Sequence, residues 1–129
     1  MGAAFARQLA FVWSILNVAK LSDVARDAIR SEPNTSFVSV ASAWEISIKV
    51  GIGKWPEALD IVGEFEQIVD KSGFEILPIS ISQVRTAGLM SAAHRDPFDR
   101  LLAAQAIIEG LTIVTADPKL AGLGAPRLW

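Results

Sequence analysis

Phe37-Val-Ser-Val-Ala-Ser-Ala-Trp-Glu-Ile-Ser-Ile-Lys49 carries a short β-prone run, Phe37 to Val40, that passes directly into a helical segment. Ser42 opens the predicted helix, which continues to about Val50 and ends at Gly51 and Gly53. Ser42-x-x-Glu45 fits a capping box, in which the serine bonds a backbone N–H and the glutamate bonds back. A strand that feeds a helix is the unit of an α/β fold.

The same unit recurs along the chain. Phe74-Glu-Ile-Leu77 predicts a strand ended by Pro78, and Ser82 to Met90 predicts a helix. Leu111-Thr-Ile-Val-Thr115 predicts another strand, and Asp117-Pro118 starts a last short helix. Arg127-Leu-Trp129 is a candidate edge strand. Pro97 to Glu109 is the clearest helix, with Pro97 suited to its first position and Gly110 to the residue past its end. Its apolar residues run nearly all round it, which predicts burial. Leu21 to Arg30 predicts a polar-faced helix, and Ile61, Val62, Phe65, Ile68 and Val69 form a helical stripe closed by Gly73. Ala3 to Leu16 looks helical too, although an α/β/α sandwich would be better served by an opening strand. The expected fold is therefore a three-layer α/β/α sandwich around a mostly parallel sheet, with one domain over residues 1–129.

Composition narrows the function. About half of the 129 residues are hydrophobic, enough for a real core. The chain has no cysteine, which excludes disulfides and thiolate metal sites. The apolar stretch from Leu9 to Ala19 is too short to span a bilayer. These features lead us to expect a soluble, cytoplasmic protein. A formal net charge of −2 counts against a broad electrostatic grip on nucleic acid. Any such contact must be local, and Lys49, Lys54, Arg95, Arg100 and Lys119 are the cations nearest the acidic motifs. Arg95 and Arg100 are the first candidates for substrate phosphates. The single histidine, His94, fits a surface or capping role better than general-base work. Trp13 and Trp44 sit in apolar contexts that predict core positions.

Ser42-Ala-Trp-Glu45, Asp96-Pro-Phe-Asp99 and Thr115-Ala-Asp117-Pro118 place acids at predicted helix starts soon after apolar runs. In an open α/β sheet such starts lie outside the carboxyl ends of the strands, where ligands bind. Each acid alone is equally a cap: Asp96 as an N-cap, Asp99 in a first turn, Asp117 before a proline. Together they suit Mg²⁺ or Mn²⁺, which take oxygen ligands at about 2.0–2.1 Å and retain several waters. Such an ion activates a water and neutralises charge growing on a phosphate, and it relieves repulsion among packed carboxylates.

Three segments carry a resemblance: Phe37 to Lys49, His94-Arg-Asp-Pro-Phe-Asp-Arg-Leu-Leu-Ala-Ala-Gln-Ala106, and Thr112-Ile-Val-Thr-Ala-Asp117. They resemble the PIN-domain family, and within it the VapC-like toxins of bacterial toxin–antitoxin pairs, over about Phe11 to Trp129. The resemblance implies an Mg²⁺- or Mn²⁺-dependent endoribonuclease, a homodimer, and neutralisation by an antitoxin protein. By motif position it implies Glu45, Asp99 and Asp117 as catalytic, metal-site acids and Asp96 as an accessory metal acid or a cap. It implies Thr115 as a hydroxyl just behind the metal.

One position departs from the pattern. Family members open with an apolar strand that ends in Asp followed by Thr or Ser. Here the corresponding region reads Phe5-Ala-Arg-Gln-Leu-Ala10, and no acid precedes Asp23. Arg7 stands where the first catalytic Asp is expected. A guanidinium keeps its charge and can pair with the remaining carboxylates in place of an ion. The resemblance therefore implies weakened metal binding and cleavage. The alternative is a catalytically inactive PIN fold that only engages an antitoxin.

Overall fold

The computed structural model describes residues 4–6, 22–30, 35–90, 96–115 and 118–129. Among these residues, five strands form one sheet: β1 (Ala4–Ala6), β2 (Ser36–Ser39), β3 (Glu75–Leu77), β4 (Thr112–Val114) and β5 (Arg127–Leu128). Their order across the sheet is β3-β2-β1-β4-β5, and all four pairings are parallel. The helices are α1 (Asp23–Arg30), α2 (Val40–Gly51), α3 (Leu59–Gly63), α4 (Phe65–Lys71), α5 (Ile81–Leu89) and α6 (Pro97–Glu109). Short 3₁₀ turns cover Pro56–Ala58 and Pro118–Leu123.

Alternation along the strands sends successive side chains to opposite faces. Val38 packs with Ile46, Ile61, Phe65 and Val69 of α2, α3 and α4. Its neighbour Phe37 joins Ile113, Leu102, Ala103 and Ala106 on the other face, against α6. Val114 turns away from Ile113 toward Ala25 of α1, with Trp129 beside it. The sheet is thus covered on both sides, as an all-parallel sheet requires.

The N-terminal expectation of a helix over Ala3 to Leu16 fails where the structure describes it. Ala4–Ala6 is the central strand, paired to β2 on one side and β4 on the other. Alanine's helix preference amounts to tenths of a kcal/mol per residue, and two flanking ladders override it. The rest of that segment, Trp13 included, lies outside the described residues.

The predicted capping box at Ser42 also fails. The N-cap of α2 is Ser39, the last residue of β2, whose extended backbone (φ −73°, ψ 146°) lets its Oγ accept from the Ala41 N–H at 3.0 Å. Ser42 and Glu45 therefore lie within the helix. A true box occurs at α5, where Ser80 and Gln83 bond reciprocally. The single stripe expected from Ile61 to Val69 is two helices, because Glu64 leaves helical geometry (φ −123°, ψ 34°) just after Gly63. The last turn of α6 is more open than expected, since Ile107 and Ile108 face solvent.

Candidate functional site

The strand order reverses direction between β1 and β4. Strands β1 to β3 step one way across the sheet, and the chain then returns past β1 to add β4 and β5. In open parallel sheets this switch point, at the carboxyl ends of the strands, is where ligands bind. Register puts Ala6, Val38 and Val114 at one level, so the chain leaves β1, β2 and β4 along a common edge. The next residues in sequence are Arg7, Ser39 and Thr115. Ser39 starts α2. Thr115 is buried, and its backbone is pinned on both sides: its N–H donates to the Leu128 carbonyl at 3.1 Å, and its carbonyl accepts from Arg127 Nη1 at 3.0 Å.

Two helices rise over this edge, and their contacts fix how they meet. Ser39 Oγ donates to Gln105 Oε1 at 2.6 Å. Trp44 and Phe98 meet edge to face with ring centroids 5.1 Å apart. Advancing along α2 from Ser39 to Trp44 therefore means retreating along α6 from Gln105 to Phe98. The two helices are antiparallel where they touch, and Phe98 and Gln105, seven residues apart, lie on one face of α6.

This geometry determines where the adjoining acids go. Glu45 follows Trp44, and Asp99 follows Phe98. Each step turns about 100° around its own helix. Because the axes run in opposite directions, both turns lead to the same flank of the interface. Glu45 is 8% exposed and Asp99 3% exposed, so that flank is an interior one. Asp99 also shares a face with Leu102, Ala103 and Ala106, which pack on the sheet. Gln105 is level with the end of β2, and Asp99 lies six residues, or about 9 Å, beyond it. The two acids thus overhang the carboxyl edge of the sheet.

Other predicted site residues fall differently. Asp96 is exposed and caps α6, with Oδ1 accepting from Phe98 N at 2.9 Å and Asp99 N at 3.3 Å. Arg100 is on the α5 side of α6. Its Nη2 donates to the Met90 carbonyl, and it lines a groove with Val84, Ala87, Gly88, Pro97 and Leu101. Asp117, Arg95, His94 and Arg7 lie outside the described residues. Among the described residues no three His, Cys, Asp or Glu side chains form a group able to hold a metal ion. Trp44 is not the core residue expected: it is 62% exposed and meets Phe98 edge to face.

Sequence reasoning gave two residues other roles, Lys49 as a cation near the acidic motifs and Ser42 as a cap, and passed over Gln105. Lys49, one turn after Glu45, holds its Nζ 3.9 Å from Glu45 Oε2 and 5.3 Å from the centre of the Trp55 ring. Ser42, one turn before Glu45 on the same face, is fully buried, and its Oγ has no hydrogen-bond partner among the described residues. A polar residue on an otherwise apolar face was the available signal for Ser42 and Gln105.

The family model for the PIN domain matches residues 10–125. The chain belongs to the PIN domain family. Its fold is similar to that in the crystal structure of VapBC2 from Rickettsia felis bound to a DNA fragment from the promoter (TM-score 0.70, 19% identity, 99% of this chain and 98% of that one). It is similar to FitAcB from Neisseria gonorrhoeae (TM-score 0.62, 15% identity, 100% and 97% covered). It is similar also to VapBC-5 from Mycobacterium tuberculosis, a member of the VapBC family of toxin–antitoxin systems (TM-score 0.59, 16% identity, 98% and 95% covered). At these identities the likeness is one of fold. No curated protein matches this PIN domain significantly. No helix among its described residues is long and apolar enough to cross a membrane.

Proposed function

We propose that this PIN domain descends from VapC-like endoribonuclease toxins and that its divalent-cation site is impaired by Arg7. The observation that carries the proposal is the pair of buried carboxylates, Glu45 and Asp99, on the same flank of two antiparallel helices. Two buried acids on one flank repel each other, and a positive charge beside them relieves that repulsion. The donors fit a hard cation: two carboxylates, with the Ser42 hydroxyl one turn from Glu45, offer oxygen only. When bound, Mg²⁺ or Mn²⁺ supplies a polarised water and neutralises charge on a scissile phosphodiester.

The chain's own residues have distinct parts in this reading. Glu45 and Asp99 are the catalytic acids that hold the ion, joined by Asp117 beyond β4. Thr115 supports the site from the end of β4. Asp96 orients Asp99 by fixing the first turn of α6. Arg95 is proposed to meet substrate phosphates. Arg100 shares that proposal, but its bond to the Met90 carbonyl also ties α6 to the end of α5.

In sequence Arg7 follows Ala6, the last described residue of the central strand, and a basic residue there in place of an acid favours the second reading, an inactive PIN fold that binds without cutting. An antitoxin partner and a homodimer are both proposed, in a cytoplasmic setting. Val40, Trp44, Ile48 and Ile52, spaced four apart on and just past α2, form an exposed apolar stripe suited to an antitoxin segment. Ile81, Val84 and Leu89 on α5 form another, suited to self-association.

Isothermal titration with Mn²⁺ and a metal-dependent RNA cleavage assay test the site together. The chain as it stands is expected to bind weakly and cut poorly, and Arg7→Asp to improve both. Tight stoichiometric binding by the unaltered chain ends the impairment argument. Cleavage that survives Asp99→Asn ends the assignment of the acids.

A further inference from the structure

Gln105 is the one fully buried glutamine whose side chain bonds to three separate parts of the fold among the described residues. Its Oε1 accepts from Ser39 Oγ at 2.6 Å. Its Nε2 donates to the Pro78 carbonyl at 3.2 Å and to Gln83 Oε1 at 3.0 Å. Both amide protons are thus used, and the acceptor is engaged. Ser39 in turn accepts from the Ala41 N–H and so begins α2. Gln83 is the capping-box partner of Ser80 at the start of α5, and its Nε2 donates to Glu109 Oε2 at 3.1 Å. One amide therefore joins the end of β2, the start of α2, the exit of β3 and the start of α5 to the middle of α6.

A buried amide is a poor choice if packing were its only task. Each of its groups requires a partner, and losing one leaves a desolvated polar atom behind. What it supplies is position. Apolar contacts between helices allow axial sliding, because one methyl replaces another at small cost. A hydrogen bond allows little, since it weakens steeply away from its preferred distance and angle. A second side-chain contact between α2 and α6 is the Trp44–Phe98 edge, at the solvent-exposed end.

We propose that Gln105 is a positioning residue: through Ser39 it sets the axial register of α2 against α6, and thereby the separation of the Glu45 and Asp99 carboxylates. Its relevance to ion binding rests on the reading that these acids share a cation. The positional claim itself does not.

The chain has no cysteine, so two introduced thiols are unambiguous labelling sites. Ile48→Cys on α2 and Ile108→Cys on α6 are both exposed positions. Nitroxide labels there, measured by double electron–electron resonance on the full chain, read the helix register without any metal. Against that background Gln105→Leu and Ser39→Ala remove the tie from either end, and Ile61→Val weakens the opposite core layer as a control. Circular dichroism establishes that each variant is folded, and Ser39→Ala, the milder change, carries the test if Gln105→Leu does not fold. Mn²⁺ affinity is measured in parallel in an Arg7→Asp background.

The expected result is a narrow distance distribution that shifts or broadens in both tie variants and not in Ile61→Val. Mn²⁺ affinity is expected to fall about tenfold or more, as for other residues that orient metal ligands. An unchanged distribution in the folded tie variants, or an equal change in Ile61→Val, overturns the positioning role. If the distribution moves but Glu45→Gln and Asp99→Asn leave Mn²⁺ binding untouched, the cation reading fails and the positioning role stands.

Discussion

Asp99 is an acid in the first turn of a helix, where the macrodipole favours it, yet it is turned inward rather than to solvent. Together with Glu45 it places negative charge in a partly desolvated flank, a choice that costs stability and is common at functional sites. Asp99→Asn is accordingly expected to raise the melting temperature while reducing Mn²⁺ binding about tenfold or more, read by calorimetry and titration on one sample. A clear drop in melting temperature would mean that the carboxylate is structural. Arg7→Asp should act in the opposite sense on the ion, tightening Mn²⁺ at least severalfold, because a fixed cation is exchanged for an oxygen ligand. If affinity does not change, Arg7 is not in the site.

At the scale of elements, local stops and starts place the site. Gly110 ends α6 in the left-handed region (φ 70°) and lets the chain turn directly into β4, with the Leu111 N–H returning to the Ala106 carbonyl at 2.8 Å. Gly110→Ala should cost about 1–2 kcal/mol by strain, visible in denaturant melts, with Mn²⁺ affinity unchanged. Ser39→Ala removes a cap worth about 0.5–2 kcal/mol and also strands the Gln105 carbonyl. It should therefore destabilise more than Gly110→Ala. The reverse order would mean that the Gln105 tie contributes little. The predicted box at Ser42 was wrong because capping depends on where β2 releases the chain. That point is set by pairing with β1 and β3, which a local pattern does not contain.

At the scale of the molecule, two apolar surfaces remain among the described residues after the core is built. Leu89 is 83% exposed on α5, and Trp44 heads the stripe on α2. Trp44→Glu is expected to abolish capture of a co-expressed antitoxin and to leave the oligomeric state unchanged. Val84→Glu with Leu89→Glu is expected to do the converse, lowering the mass seen by light scattering. A swap of the two outcomes would exchange the surfaces, and no effect from either would remove both.

Fold class was legible in the residues themselves. The β-prone runs at 37–40, 74–77 and 111–115, and the helix from Pro97 to Glu109, follow from hydrophobic period and end signals that act over one or two turns. The acids at 45 and 99 stood out for the same reason, since they punctuate apolar segments. Three things needed the tertiary structure. Ala4–Ala6 became the central strand only because two neighbours pair with it. Trp44 became a surface residue only because α2 turns that face away from both core layers. Glu45 and Asp99 reached a common flank only because α2 and α6 run antiparallel through Ser39–Gln105 and Trp44–Phe98. Local sequence fixes torsions and which residues prefer burial; which strand pairs with which, and which helix lies beside which, is decided by long-range packing and hydrogen bonding, as where two ladders override the helix preference of Ala4–Ala6.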